Sequence, residues 1–246
     1  MVKACAIIQA RMGALRLPNK VLLPLCDKPM LYHIVERLRQ CNTLDKIILA
    51  TSSSPNDDVL ETKAKELDID CLRGPEDDVL ARFYLASQNQ SKHIVRICAD
   101  RPFIDSKIVD ETVRFYFQTG ADIVKIINMP TGLDTEVFSY TSLEQAYNNA
   151  KEPYQREHVT PYIYENFITK VMPITPDTSG YRLTLDTEED YEAISKLYEI
   201  LYKGKHDFYL DDVIRVLKEN PDIVLINQHI KQQEVPTKIR EDDQTS

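Results

Sequence analysis

From residue 4 onward the chain alternates short apolar runs with amphipathic stretches, and this alternation limits the possible folds more than any other feature. Ala4, Cys5, Ala6, Ile7 and Ile8 make a run with the length of a buried β-strand. Met30, Leu31, Ile34, Val35 and Leu38 then recur at helical spacing, and residues 46–50 read as a second strand. Residues 54–58 supply a turn and cap, Val59, Leu60, Ala64 and Leu67 a helix face, and residues 69–72 a third strand. Val79, Leu80, Phe83 and Tyr84 give another helix, followed by a fourth strand at 93–99 that stops at Asp100. Ile108, Val109, Thr112, Val113, Tyr116 and Phe117 mark the next helix, and residues 122–126 a fifth strand. β-α units repeated in this way predict an α/β fold with a mostly parallel, Rossmann-like sheet covered by helices on both faces.

Between 129 and 177 the alternation gives way to turn residues, a short strand at 136–138 and two helical stretches. Phe138, Tyr140, Tyr147, Tyr154, Tyr162, Tyr164 and Phe167 crowd this segment. They serve either as core or as the cover of an acceptor site buried against a second subunit. Residues 181–185 resume the strand pattern, 186–190 cap a helix carrying Ile194, Leu197, Tyr198 and Leu201, and a last helix is expected near 211–218. The expectation is one domain over 1–228 with an inserted segment at 129–177, then a polar tail at 229–246.

Charge and cysteine usage narrow the function classes. A net charge of −9 with no basic stripe argues against nucleic acid as a partner. None of the five cysteines forms a CxxC pair, so they read as reduced packing residues of a cytoplasmic protein. The N-terminal residues lack the pattern of a signal peptide, and no apolar run nears the roughly 18 residues of a membrane span.

The first strand runs into QARMGALRLPNK, residues 9–20, a strand-to-helix loop with one glycine, Gly13, and three cations, Arg11, Arg16 and Lys20. Ligands of open parallel sheets bind beyond the carboxyl ends of the strands, so Gln9, Ala10 and the loop after them are where a polyphosphate would sit. The other reading is three solvated surface charges. Asp100 and Asp186 each follow a predicted strand and point to the same edge, where two carboxylates with substrate phosphates suit Mg2+. Helix capping is the competing use, above all for Asp186. A dinucleotide fingerprint needs three glycines, and no GxxxxGK[ST] occurs, so neither an NAD site nor a P-loop is supported. Among the histidines, His33 and His93 lie inside regular elements and His206 and His229 are isolated, leaving His158 in the middle segment.

The loop at 9–20 with KPML at 28–31 resembles the N-terminal signature of the cytidylyltransferases that activate sugar acids, the CMP-KDO and CMP-acylneuraminate synthetases, and most of all their spore-coat polysaccharide branch. RG at 73–74 with EDDVL at 76–80, ADRP at 99–102, GLDTEVF at 132–138, REHVTP at 156–161 and RLTLDTEED at 182–190 are similar to that branch and stand in the same order. The resemblance covers about residues 4–200. It implies a GT-A-like nucleotidyltransferase sheet, a homodimer formed partly through the middle segment, and magnesium dependence. By position, Arg11, Arg16 and Lys20 would hold the triphosphate, Asp100 and Asp186 the metal, and Arg73 and Arg82 would lie near the nucleotide. Asp134, Glu136, Arg156 and His158 would face the acceptor. Ala14, Asn19 and Arg101 depart from the pattern, the first two replacing a small hydroxyl and a glycine.

The resulting expectation is transfer of CMP from CTP to a small anionic, sugar-like acceptor for surface polysaccharide synthesis, with Arg11, Lys20 and Asp100 as the catalytic groups. Two alternatives stay open at this stage. A glycosyltransferase would share the sheet but want a DxD metal motif, where Ala99, Asp100 and Arg101 offer one acid. A non-catalytic nucleotide-binding subunit would fit the departures at Ala14 and Arg101.

Overall fold

The computed structural model describes residues 3–14 and 16–232. Strand β1 (Ala4–Gln9) leads through the basic loop and a small hairpin, β2 (Pro24–Leu25) and β3 (Lys28–Pro29), into helix α1 (Met30–Leu38). Then follow β4 (Leu44–Ser52), α2 (Asp58–Glu66), β5 (Asp70–Gly74), α3 (Val79–Ser87), β6 (His93–Cys98), α4 (Ser106–Thr119) and β7 (Ile123–Ile127). The middle segment holds β8 (Glu136–Ser139), α5 (Tyr140–Asn149), α6 (Pro153–His158), α7 (Pro161–Asn166) and β9 (Thr169–Pro173). Helices α8 (Glu188–Leu201), α9 (Leu210–Glu219) and α10 (Pro221–Asn227) complete the described chain.

Seven strands form one sheet in the order β5-β4-β1-β6-β8-β7-β9. β4 and β6 both pair parallel with β1, from opposite sides, and β9 pairs parallel with β7. Only β8 runs the other way, antiparallel to both β6 and β7. The mostly parallel α/β sheet is therefore the observed one. Its strand order reverses at β1, which opens a crevice beyond the carboxyl ends of β1 and β6.

Alternation along β1 feeds two cores. Ala4, Ala6 and Ile8 pack on the face covered by Ile34, Val35 and Leu38 of α1, Val109 and Val113 of α4, and Ile194 and Leu197 of α8. Cys5 and Ile7 point to the other face, against Leu80 and Phe83 of α3, Leu143 of α5 and Ile163 of α7. Both faces of the strand are apolar because both are covered.

Several sequence expectations are corrected. Residues 181–185 are not a ladder strand: their one bridge joins Thr131 to Arg182, while the strand in this part of the chain is β9. The middle segment holds three helices and not two, and α10 follows the helix expected to be last. His206 is not isolated, since its Nε2 lies 2.8 Å from Nδ1 of His33, whose Nε2 lies 2.7 Å from the carbonyl of Leu25. Of the expected aromatic cover, Phe138 and Tyr164 belong to the core, while Tyr140, Tyr147, Tyr154, Tyr162 and Phe167 are half-buried. From the tail expected at 229–246, residues 233–246 lie outside the described residues, as does Leu15 of the basic loop. Among the described residues no helix is long and apolar enough to cross a membrane.

Candidate active site

A cleft of about 1080 Å³ opens at the crevice beyond β1 and β6. Gln9, Ala10, Arg11, Arg16 and Lys20 line it from the first loop, Asp100 and Arg101 from the end of β6, and Asp186 from the segment before α8. The basic loop is anchored from outside. Asp57, buried in the turn before α2, accepts from the backbone N–H of Met12 at 2.7 Å and from that of Ser52 at 3.2 Å. Asn19 takes the left-handed conformation, φ 60°, that a glycine would otherwise supply and that asparagine tolerates better than most residues.

Lys20 brings the two acids together. Its Nζ donates to Asp100 Oδ2 at 2.9 Å and to Asp186 Oδ1 at 2.6 Å. Asp186 also faces Arg16 at 3.2 Å and Arg182 at 3.4 Å. Burial raises the Asp186 carboxyl, but Lys20, Arg16 and Arg182 outweigh it and hold it below the usual range. Burial likewise disfavours the Lys20 ammonium, and the two carboxylates overcome that and hold its pKa up. The route by which Asp186 arrives differs from the expected strand end. The N–H of Leu185 donates to the carbonyl of Asp100 at 2.9 Å, and Leu183 donates to Thr131 at 2.7 Å, so backbone pairing to two loops sets its place.

Arg11 is exposed and makes no ion pair or side-chain hydrogen bond among the described residues. Near it, Arg82 is buried and lines the cleft, with Nη1 donating to the carbonyls of Pro75 and Glu76 at 2.9 and 2.8 Å. Burial and the charge of Arg11 lower its pKa, and its Nε has no hydrogen-bond partner among the described residues. Arg73, expected near the nucleotide, is turned away from the cleft lining. Its guanidinium turns to α2, pairing with Asp58 at 2.6 Å and donating to the carbonyls of Ser52 and Ser54, and it does not line the cleft. Gly13 does not line it either, and a Cβ there would meet no protein atom.

The four residues expected to face the acceptor all line the same cleft, and the charges of Asp134, Glu136 and Arg156 are already matched. Asp134 pairs with Arg101 at 2.6 Å. Glu136, at the start of the antiparallel β8, pairs with Arg96 at 2.6 Å and accepts from Thr160 at 3.0 Å and Tyr164 at 2.5 Å. Burial raises the Glu136 carboxyl, and Arg96 and Tyr164 overcome this and lower it. Arg156 donates from Nε to Asp78 at 2.9 Å, tying α6 to the cap of α3. His158 ends α6, and its imidazole is pushed by burial toward the neutral form. Val159, fully buried, then takes φ 72° and ψ −59°, closed by a 2.9 Å bond from Thr160 N–H to the His158 carbonyl. A γ-turn of this hand is strained for a β-branched residue, and it fixes where His158 and Thr160 point.

Sequence reasoning missed Arg96, Arg101 and Asp57 as parts of the site. Arg96 was hidden inside an apolar strand, and Asp57 read as an ordinary turn residue. Only Arg101 carried a signal, as a departure beside a candidate metal ligand.

Residues 5–233 match the family described as cytidylyltransferase. The chain belongs to that family. It is 36% identical over 227 residues to the spore coat polysaccharide biosynthesis protein SpsF of Bacillus subtilis, covering 88% of this chain and 94% of the relative. A cytidylyltransferase structure from Leptospira borgpetersenii superposes with a TM-score of 0.85 at 34% identity, covering 95% of this chain and all of the other. A CMP:2-keto-3-deoxy-manno-octonic acid synthetase complexed with CTP shares the fold, with a TM-score of 0.65 at 16% identity over 80% of this chain and 99% of that one. The cytidylyltransferase is thus a CTP-dependent nucleotidyltransferase on the nucleotidyltransferase sheet of CMP-KDO synthetase.

Proposed function

We propose that this cytidylyltransferase transfers CMP from CTP to a small anionic, sugar-like acceptor, releasing pyrophosphate, in the synthesis of a surface polysaccharide. One observation carries the reading: Arg11, Arg16 and Lys20 share a single cleft with Asp100 and Asp186. The acceptor hydroxyl attacks the α-phosphorus in line, forming the new P–O bond as the bond to pyrophosphate breaks. Little covalent work falls to the protein, so alignment and charge neutralisation do most of it. Arg11, unpaired among the described residues, and Arg16 and Lys20 take the charge of the leaving pyrophosphate.

The donor set fits a hard divalent ion. Asp100 and Asp186 converge on one cation, the Lys20 ammonium, and two carboxylates completed by phosphate oxygens are the usual holder of Mg2+. Mg2+ held there by Asp100 and Asp186 would supply positive charge against the charge that develops on the phosphates. On the acceptor side, Arg101, paired with Asp134, and Arg96, paired with Glu136, are the guanidinium groups that an anionic acceptor would meet. The similarity to SpsF supports the polysaccharide context. A single domain over 1–228, a cytoplasmic setting and a homodimer that uses the half-buried tyrosines of 129–177 complete the reading.

A thermal-shift panel of CTP, UTP, ATP and GTP with Mg2+ tests it, with selective stabilisation by CTP expected. Pyrophosphate release with CTP and 2-keto-3-deoxy-manno-octonic acid or related sugar acids then reads the transfer itself. Asp100→Asn should cut that release by about two to three orders of magnitude, the usual loss of one electrostatic partner of the transition state. Equal stabilisation by all four nucleotides, or an unchanged rate in the variant, would overturn the proposal.

A further inference from the structure

The pair of carboxylates is not an open metal site. Lys20 Nζ lies 2.9 Å from one and 2.6 Å from the other, with its side chain only 14% exposed. Asp186 turns its second oxygen to Arg16 and Arg182 at 3.2 and 3.4 Å. Among the described residues no group of three or more His, Cys, Asp or Glu could hold a metal ion. A bare divalent ion entering here would find two protein ligands and would have to expel an ammonium toward two guanidinium groups. Like charges at such distances repel strongly in a half-buried cleft. A triphosphate changes both terms, because its oxygens complete the coordination and give the displaced ammonium an anion to bind. Lysine is suited to this exchange, being a compact charge on a flexible stem.

On the reading given above, we propose that Lys20 makes the site select the metal–triphosphate complex over the bare metal. Its ammonium holds Asp100 and Asp186 closed to a divalent ion until phosphate oxygens draw it away. Metal and nucleotide then bind with positive coupling, and by linkage each raises the affinity of the other by the same factor.

Mn2+ binding followed by electron paramagnetic resonance tests this without turnover. For the wild-type protein, Mn2+ alone is expected to bind weakly, and on the order of ten to a hundredfold more tightly with α,β-methylene-CTP present. Lys20→Met should bind Mn2+ alone about tenfold more tightly than wild type and show reduced coupling to the nucleotide. Lys20→Arg, which keeps a cation, should stay near wild type. Adding Asp186→Asn to Lys20→Met should abolish the gain, which places the new ion on the carboxylate pair. Lys20→Gln serves as a second neutral variant, and a cooperative melt shows that each protein is folded. Equal Mn2+ affinity in wild type and both neutral variants would overturn the role of the lysine while leaving the nucleotide reading intact. Tighter Mn2+ binding in those variants with no response of wild type to the CTP analogue would instead sink the nucleotide reading.

Discussion

At the scale of single residues, Glu136 shows how a cleft carboxylate can be spent on holding the site together. Both oxygens are taken, by Arg96 on one side and by Thr160 and Tyr164 on the other. Glu136→Gln would leave the Arg96 guanidinium without its charge partner, a loss of about 3 to 5 kcal/mol for a buried pair. Urea unfolding should show this as a lower midpoint with an unchanged slope. The linkage has a definite sign. Because the folded carboxyl lies below its usual value, its stabilisation is present above about pH 4.3 and is lost as pH falls through the depressed folded value. The sequence placed Glu136 in the cleft through resemblance. That its oxygens are engaged could not be read from the chain, since Arg96 and Tyr164 reach it from 40 residues before and 28 after.

Among the elements, the loop carrying Gly132 and the segment 181–185 are set against each other. Gly132 has φ 102°, and a Cβ there would lie 2.5 Å from the backbone N of Thr184. Gly132→Ala should force the two apart at a cost of about 1 to 3 kcal/mol. Since this pairing carries Asp186 to Lys20, the variant is expected to lower the melting temperature and weaken stabilisation by CTP with Mg2+, both read in one thermal-shift titration. The apolar alternation of Tyr181, Leu183 and Leu185 reads as a strand because Leu183 and Leu185 are indeed buried in one core. Their backbone partners are loops, at Thr131 and Asp100, and periodicity says nothing of a partner's identity. β9 escaped notice for the opposite reason: five residues, TKVMP, ending in proline at a sheet edge, give little pattern. The direction of Arg73 is likewise not legible, because a strand residue can face either way, and its side chain turns to α2.

For the whole molecule, α1 is tied to the chain before α9 by the buried imidazole pair. The Leu25 carbonyl can only accept, so His33 Nε2 carries its proton and His206 donates to His33 Nδ1. Burial, aided by the nearby charge of Arg37, holds His33 down at about 4 and His206 at about 3. Both are neutral when folded and titrate near 6.5 when unfolded, so their stabilisation is complete above that pH and is lost as pH falls from about 6.5 toward 4. Melting temperature should therefore decline across that window, and His206→Gln, which keeps a donor but cannot titrate, should flatten the decline. The alternating β-α pattern made the sheet, its switch at β1 and the cationic loop legible. The direction and position of β8 were not, because a four-residue strand flanked by turns carries no information about which neighbours it joins. That strand lies between β6 and β7, so residues 129–177 supply an interior plank of the sheet as well as one wall of the cleft. This stretch cannot be exchanged between enzymes as a cassette, and on the proposed function a change of acceptor has to come through individual side chains on an unaltered frame.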